Sequence, residues 1–241
     1  MTAASAPARP VVVAIDGPAA SGKSSTARWV AERLGFHHVD SGALYRAVTL
    51  LALREHGADA TAWAGDHLAE AAGRITLVPV PAGFDPVIDG GSVAEAVRGP
   101  EVTRNVSAVA QMPAVRAWVN ARVRDAARSR SVVVDGRDIG TVVFPDAALK
   151  VFLVADPWER ARRRLLQTLG RAPADPEIAA ETARLVERDA RDATQTVQAR
   201  DAVLLDTTFL TQAEQVERIV ALVRALPART VRARGQASSG A

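Results

Sequence analysis

The segment GPAASGKS at residues 17–24 contains the residues whose types and spacing most clearly suggest chemistry. It fits the pattern Gly-x-x-x-x-Gly-Lys-Ser/Thr, in which small residues let successive backbone N–H groups turn inward around a phosphate. An apolar, β-branched run at 11–15 precedes it, and a helical pattern that ends at Gly35 follows it. The start of that helix adds its positive dipole end. A glycine loop can also simply join a strand to a helix, but this context favours phosphate binding.

Individual positions of this phosphate loop have separate predicted tasks. Lys23 would place its ammonium group on the β- and γ-phosphates, and the Ser24 hydroxyl would ligate Mg²⁺. The residues predicted to bind a nucleoside triphosphate are Gly17, Pro18, Ala19, Ala20, Ser21, Gly22, Lys23, Ser24 and Ser25. The loop alone indicates a nucleotide and leaves the reaction open.

Two aspartates stand where apolar runs end. Asp135 follows the run at 131–134 and could hold Mg²⁺ directly or through water. An aspartate in this position can also be a turn or helix-cap residue, but beside a phosphate loop we favour the metal role. Asp16, immediately before the loop, is a second candidate of the same kind.

Arginines form the next group with chemical potential. Three consecutive arginines occupy 162–164, and Arg184, Arg188 and Arg191 recur at i, i+4 and i+7 on one helical face. Such a face is usually a solvated surface. Phosphoryl transfer, however, needs cations around the transferred group, and a mobile arginine-bearing flap would supply them and exclude water. Gly170 and Pro173 would be its hinge.

These residues must be positioned by a sheet. Apolar runs at 11–15, 36–39, 131–134, 149–154 and 203–206 are separated mostly by helical patterns. The pattern predicts a five-stranded parallel sheet with helices on both faces, and ligands then bind beyond the carboxyl ends of the strands.

The remaining elements are predicted from capping and turn residues. Helices are expected over about 41–55, 61–73, 100–109, 113–130, 157–169, from 175 onward, and after a capping box that starts at Thr211. Asp156 and Asp175, each followed by proline, would cap the helices that they precede. A small antiparallel insertion is predicted from 74–80 and 84–89 around a turn at 81–83, with a third short strand at 92–93.

Composition limits the function classes. The 241 residues suit one domain, 48% are hydrophobic, and the formal net charge of +3 indicates neither a nucleic-acid nor a membrane partner. There is no cysteine and no run of 18 apolar residues. We expect a cytoplasmic protein with flexible tails at 1–10 and 227–241.

Four segments together resemble bacterial cytidylate kinases. They are IDGPAASGKS at 15–24, DSGALYR at 40–46, DGRDIGTVVFP at 135–145 and ERDARD at 187–192, and their order and spacing agree over about 11–226. The resemblance implies a single P-loop kinase domain with its core at about 11–39, 113–160 and 196–226. It also implies a monophosphate-binding part at about 40–112, which carries the insertion, and a lid at about 161–195.

The resemblance implies transfer of the γ-phosphoryl group of Mg·ATP to CMP and dCMP in pyrimidine nucleotide metabolism, by a monomer. The residues that it implies for binding CMP are Ser41, Arg46, Ser107, Arg116, Arg137, Asp138, Arg188 and Asp192. It implies that Lys23, Arg137 and Arg188 are catalytic. It also implies that Ser24 and Asp135 hold the metal. The chemistry of cytosine agrees, because its N4 amine donor and its N3 and O2 acceptors call for one carboxylate and one cationic donor.

One position departs from the family. Gln195 stands where the family has a phosphate-binding arginine, and the segment that follows is shorter than usual. Our hypothesis is that Arg191 or Arg200 supplies the missing charge.

Three alternative functions would share part of this sequence pattern. A kinase for UMP, TMP or a non-nucleotide alcohol would share the phosphate loop. A GTPase-type switch requires an Asn-Lys-x-Asp sequence, and neither Asn105 nor Asn120 is followed by lysine. A nucleic-acid-dependent ATPase predicts a contiguous basic stripe, which the near-neutral charge and sparse aromatic residues disfavour.

Overall fold

One sheet runs through the computed structural model, which describes residues 10–81 and 83–227. Its strands are β1 (Val12–Asp16), β2 (His37–Asp40), β3 (Ile75–Val80), β4 (Gly83–Ile88), β5 (Gly91–Ser92), β6 (Val132–Gly136), β7 (Leu149–Val154) and β8 (Val203–Asp206). The five predicted core strands are all parallel and lie in the order β2-β6-β1-β7-β8. The predicted tails fall almost wholly outside the described residues, as does Ala82 in the predicted turn.

The antiparallel insertion is continuous with this sheet. β3 and β4 form the predicted hairpin, β5 pairs with β4 one residue earlier than expected, and β4 joins β2 in parallel through the single pair His38 and Gly83. A Cβ on residue 83 would lie 2.5 Å from the His38 carbonyl oxygen, so glycine permits this approach. The fold class is therefore confirmed, with the insertion extending the sheet to eight strands.

Helices cover both faces of the sheet. They are α1 (Lys23–Leu34), α2 (Ser41–His56), α3 (Gly65–Ala71), α4 (Pro100–Val109), α5 (Pro113–Ala127), α6 (Pro157–Leu169), α7 (Asp175–Asp192) and α8 (Gln212–Arg224). Two predicted caps are confirmed, because Asp156 and Thr211 each accept a hydrogen bond from the first turn of their helix. Asp40 caps α2 in the same way.

Two helix predictions were wrong in detail. The helix expected at 61–73 is interrupted, since a 3₁₀ turn ends before Trp63, whose backbone is extended. Asp175 lies inside α7, and the cap position belongs to Ala174, whose N–H donates to the Glu177 carboxylate at 2.8 Å. The acidic residue at the third helical position therefore does the capping.

Apolar side chains hold the layers together. Leu44 and Val119 pack α2 and α5 on one face of the sheet, and Val30 and Ile219 pack α1 and α8 on the other. Full burial of one such side chain contributes about 1.5–3 kcal/mol. A smaller cluster of Ala19, Ala161, Ile178 and Leu185 fastens α6 and α7 to the phosphate loop. Among the described helices, none combines the length and apolar character needed to cross a membrane.

Candidate active site

The phosphate loop joins β1 to α1 at the centre of the sheet. Gly22 and Ala20 have left-handed backbones, with φ of 86° and 56°. A Cβ on residue 17 would lie 2.2 Å from the Leu153 carbonyl oxygen, so only glycine fits there. Lys23 is buried and donates to the Pro18 carbonyl at 2.7 Å. Burial, reinforced by the charge of Arg137, lowers the pKa of Lys23 well below its usual value.

Asp135 connects the loop to the neighbouring strands. Its Oδ2 accepts from the Ser24 hydroxyl and its Oδ1 from His38 Nε2, both at 2.6 Å. Burial disfavours the charged carboxylate, but the hydrogen bonds from His38 and Ser24 together with the charges of His38 and Lys23 outweigh it, so the pKa of Asp135 lies below its usual value. At His38, burial opposes protonation, but the hydrogen bond to Asp135 and the charges of Asp135 and Asp40 together raise the pKa of the imidazole. Ser24 and Asp135 thus present the hard oxygen donors that suit Mg²⁺.

Asp16 holds a neighbouring backbone turn in place, rather than serving as the metal ligand that the sequence suggested. Its two carboxylate oxygens accept the backbone N–H groups of Ile139 and Gly140, each at 2.8 Å. Burial raises the pKa of Asp16 to about 6 despite these bonds. The carboxylate therefore fixes the π-helical turn Ile139–Val143, which directly follows Asp138.

The residues expected to bind the monophosphate lie at one end of the cleft. Arg116 of α5 forms an ion pair with Asp138 and donates to the Ala110 carbonyl at 3.1 Å. Burial raises the pKa of Asp138, although the charge of Arg116 opposes this. Ser41 and Ser107 are buried and line the same cleft.

Arg46 and Tyr45 border this end. Arg46 donates to the Val97 carbonyl at 3.2 Å and to the Thr103 hydroxyl at 2.9 Å. The Tyr45 hydroxyl is buried with no hydrogen-bond partner among the described residues, and burial raises its pKa to about 12. Tyr45 belongs to the 40–46 segment, and its place next to Arg46 is the only sequence signal that points to it.

Arg188 of α7 and Arg137, which directly follows β6, share the carboxylate of Asp192. Asp192 Oδ2 lies 3.4 Å from an Arg137 nitrogen and 3.7 Å from Arg188 Nε. Burial, together with the charge of Arg137, lowers the pKa of Arg188 to about 10. The Nε atoms of both arginines are buried and lack a hydrogen-bond partner within the described part of the chain. Two guanidinium groups that share one carboxylate and keep unused donors suit a polyanionic ligand.

The arginines that line the cleft are not all the ones that the sequence predicted. Of the predicted face on α7, only Arg188 lines the cleft, whereas Arg184 and Arg191 are exposed. All three arginines at 162–164 line it. Gln195 does so too, but Arg191 and Arg200 are not among the described lining residues. The hypothesis that either one replaces the missing arginine is therefore not supported by this geometry.

The residues predicted to bind the two nucleotides and the metal line one cleft of about 1240 Å³, Lys23 and Arg137 among them, except Gly17 and Pro18. A pocket for a single drug-sized molecule measures about 300–1,000 Å³. The cleft can thus accommodate two nucleotides. Sequence reasoning missed His38, whose bond to Asp135 follows from the pairing of β2 with β6.

Comparisons with known proteins agree with this geometry. The family model described as cytidylate kinase matches residues 13–225. The chain is 44% identical over 224 residues to a cytidylate kinase of Chlorobaculum tepidum, an alignment covering 89% of this chain and 93% of that one. It is 45% identical over 215 residues to the cytidylate kinase of Limosilactobacillus fermentum, covering 87% and 93% of the two chains. The corresponding protein of Solibacter usitatus is 44% identical over 222 residues, covering 89% and 92%.

Proposed function

The chain belongs to the cytidylate kinase family, and we propose that it transfers the γ-phosphoryl group of ATP to CMP and dCMP, giving ADP and CDP or dCDP. The observation that supports this most directly is that Lys23 of the phosphate loop and the Arg116–Asp138 pair line a single cleft. A phosphate donor and a cytosine-bearing acceptor can thus be held face to face.

The Arg116–Asp138 pair suits cytosine. A carboxylate accepts from the N4 amine, and a guanidinium donates to N3 or O2. Uracil presents an acceptor oxygen where cytosine has the amine, so it would face the carboxylate with no hydrogen between them. A site built on such bonds rejects the wrong base by leaving a buried polar group unpaired.

The transfer itself needs no covalent intermediate with the protein. An oxygen of the acceptor monophosphate bonds to the γ-phosphorus as the bond to the β–γ bridging oxygen breaks, and ADP leaves. Lys23, Arg137 and Arg188 neutralise the charge that spreads over the transferred group. Lys23 is buried, and Arg137 and Arg188 are partly buried, which strengthens each interaction relative to water.

Mg²⁺ is the ion we propose to accompany ATP. Ser24 would hold it together with Asp135, directly or through water, and the ion would neutralise the β- and γ-phosphate oxygens. His38 occupies the other oxygen of Asp135 and so orients the carboxylate toward Ser24.

We also propose the division of labour within the domain. Residues at about 11–39, 113–160 and 196–226 form the core, those at about 40–112 bind the monophosphate, and those at about 161–195 form a lid. Gly170, with φ of 65° between α6 and α7, suits a hinge. We expect the protein to act as a monomer in the cytoplasm, without nucleic-acid or membrane partners.

A coupled assay of ADP release with a panel of acceptors tests the proposed function. Purified protein with Mg·ATP should release ADP with CMP and dCMP, and much less with UMP, TMP or no acceptor. ADP release that is independent of acceptor, or fastest with UMP, would contradict the proposal. A kinase for another acceptor would be identified in the same panel.

A further inference from the structure

Phe209 is the most exposed large apolar side chain among the described residues, with 94% of its surface accessible. It lies between β8 and α8 and lines the cleft together with Leu210 and Thr211. A phenylalanine this exposed contributes almost no burial to stability. The position is therefore poorly explained by folding.

The backbone on both sides of Phe209 is nevertheless held firmly. Arg163 donates to the carbonyl oxygens of Thr207 and Thr208 at 2.6 and 2.7 Å. The Thr207 hydroxyl donates to the Val154 carbonyl at 3.1 Å, and Thr211 begins α8 with its capping box. An anchored loop thus presents an unpacked aromatic ring at the wall of the cleft.

The order of the strands indicates which nucleotide this ring would meet. The phosphate loop follows β1, and the acceptor residues Ser41 and Asp138 follow β2 and β6 on one side of it. Phe209 follows β8, which lies on the other side beyond β7. Because the acceptor occupies the first side, the base of the phosphate donor must extend toward the second.

Polar contacts tie Phe209's loop to the phosphate loop. Gln212, at the start of α8, accepts from the Ser25 hydroxyl at 3.0 Å and donates to Thr26 Oγ1 at 2.7 Å. Residues of α8 therefore sit directly beside the first turn of α1, where the donor phosphates are expected. The arginines at 162–164 line the cleft in the same region.

We propose that Phe209 is the platform on which the base of the donor nucleotide stacks. The inference rests on the proposed function, since it assigns a residue to the ATP end of that site. Stacking of a base on an aromatic ring depends on contact area between the two π-faces. A purine base therefore gains more than a pyrimidine, so Phe209 would favour ATP over UTP as the donor.

Phe209→Ala tests the assignment without endangering the fold. We expect the KM for ATP to rise about tenfold, equivalent to ~1.4 kcal/mol, with kcat and the KM for CMP within about twofold of wild type. The preference for ATP over UTP should shrink, and Phe209→Trp should restore it. Leu204→Ala is the matched control, because Leu204 is 56% exposed on β8 and is not among the described residues that line the cleft.

Two outcomes would overturn the inference. One is an ATP KM and a donor preference unchanged in Phe209→Ala. The other is a parallel rise of the KM values for ATP and CMP, which would indicate a general effect on the cleft. Calorimetric titration of ATP without acceptor separates this test from the proposed function. If wild type fails to phosphorylate CMP, a loss of ATP affinity in the variant still supports stacking.

Discussion

Lys23 and Arg137 carry the positive charge closest to the proposed path of the phosphoryl group. Both line the cleft, and Lys23 is buried there. Because charge stabilisation is most of what the protein contributes to this reaction, we expect Lys23→Ala and Arg137→Ala each to lower kcat by about a hundredfold or more, ~2.7 kcal/mol. Steady-state assays with saturating ATP and CMP measure the effect.

Arg191→Ala is the control for these two variants. Arg191 is exposed on α7 and is not one of the described cleft residues, so its removal should change kcat by less than about twofold, ~0.4 kcal/mol. Wild-type turnover by Lys23→Ala or Arg137→Ala would contradict the assignment. A large loss in Arg191→Ala would revive the hypothesis that Arg191 replaces the family's arginine at Gln195.

Asp138 is where base specificity should be measurable. Asp138→Asn keeps the size of the side chain, removes the ion pair with Arg116, and allows the amide to donate to the O4 of uracil. We expect kcat/KM for CMP to fall by about 30- to 100-fold, ~2–3 kcal/mol, and the ratio of CMP to UMP activity to fall with it. The acceptor panel measures both.

Asp125→Asn is the matched change for Asp138→Asn. Asp125 lies on the same helix as Arg116 and pairs with Arg122 and Arg128 near the surface. The Asp125→Asn enzyme should therefore keep the wild-type preference for CMP over UMP. An Asp138→Asn enzyme that still discriminates fully between CMP and UMP would remove Asp138 from the base-binding site.

Residue identities were predictable where a motif is local and were missed where a contact crosses strands. The geometry of the phosphate loop can be predicted from the sequence, because the spacing of glycine and lysine within eight residues is enough to identify it. The partners of Asp16 and the bond from His38 to Asp135 depend on the register of β1, β2 and β6. No spacing within the sequence encodes that register.

At the scale of elements, Arg160 connects α6 and α7 to the phosphate loop. Buried on α6, it donates to the Ala19 carbonyl and pairs with Asp189 of α7, both at 2.7 Å, while Asp189 accepts from the Ala19 N–H at 3.1 Å. Arg160→Ala removes the cation that pairs with the Asp189 carboxylate and the donor to the Ala19 carbonyl. We expect the free energy of unfolding in urea to fall by about 3 kcal/mol and the affinity for ATP to fall as well.

Arg171→Ala provides the comparison for Arg160→Ala. Arg171 lies in the loop between the same two helices and forms an ion pair with Glu177 of α7 at 2.6 Å, but its side chain is more than half exposed. Its loss should lower the free energy of unfolding much less than the loss of Arg160, because an exposed ion pair contributes little. Equal effects of the two variants would show that Arg160 does not fasten α7 to the phosphate loop.

Element types were predicted well, and their boundaries and pairings less well. Proline at the first turn and glycine after the last turn gave α6 its bounds, because both signals act locally. The break near Trp63 was missed, since Trp63 is extended and buried in the core beneath α2. Tertiary packing there outweighs helix propensity. The pairing of β4 with β2 likewise depends on one close approach at Gly83.

For the whole molecule, the strand order places the proposed donor and acceptor residues on opposite sides of β1. The side of β2 and β6 bears the Arg116–Asp138 pair, and the side of β7 and β8 bears Phe209. The sequence predicted that the strand ends converge, but the strand order came only from the structure. If the proposed assignments hold, this order brings the two nucleotides together over Lys23 from opposite directions.

A ligand that carries both nucleotides tests this arrangement in one measurement. Adenosine and cytidine joined 5′ to 5′ by a chain of phosphates should bind with a stoichiometry of one per chain and compete with both ATP and CMP. Binding to the folded state alone should stabilise the protein by ~2.7 kcal/mol at a ligand concentration of about 100 times its Kd. Because a single continuous cleft must accommodate both ends, competition with only one of the two substrates would place them in separate sites and contradict the proposed transfer.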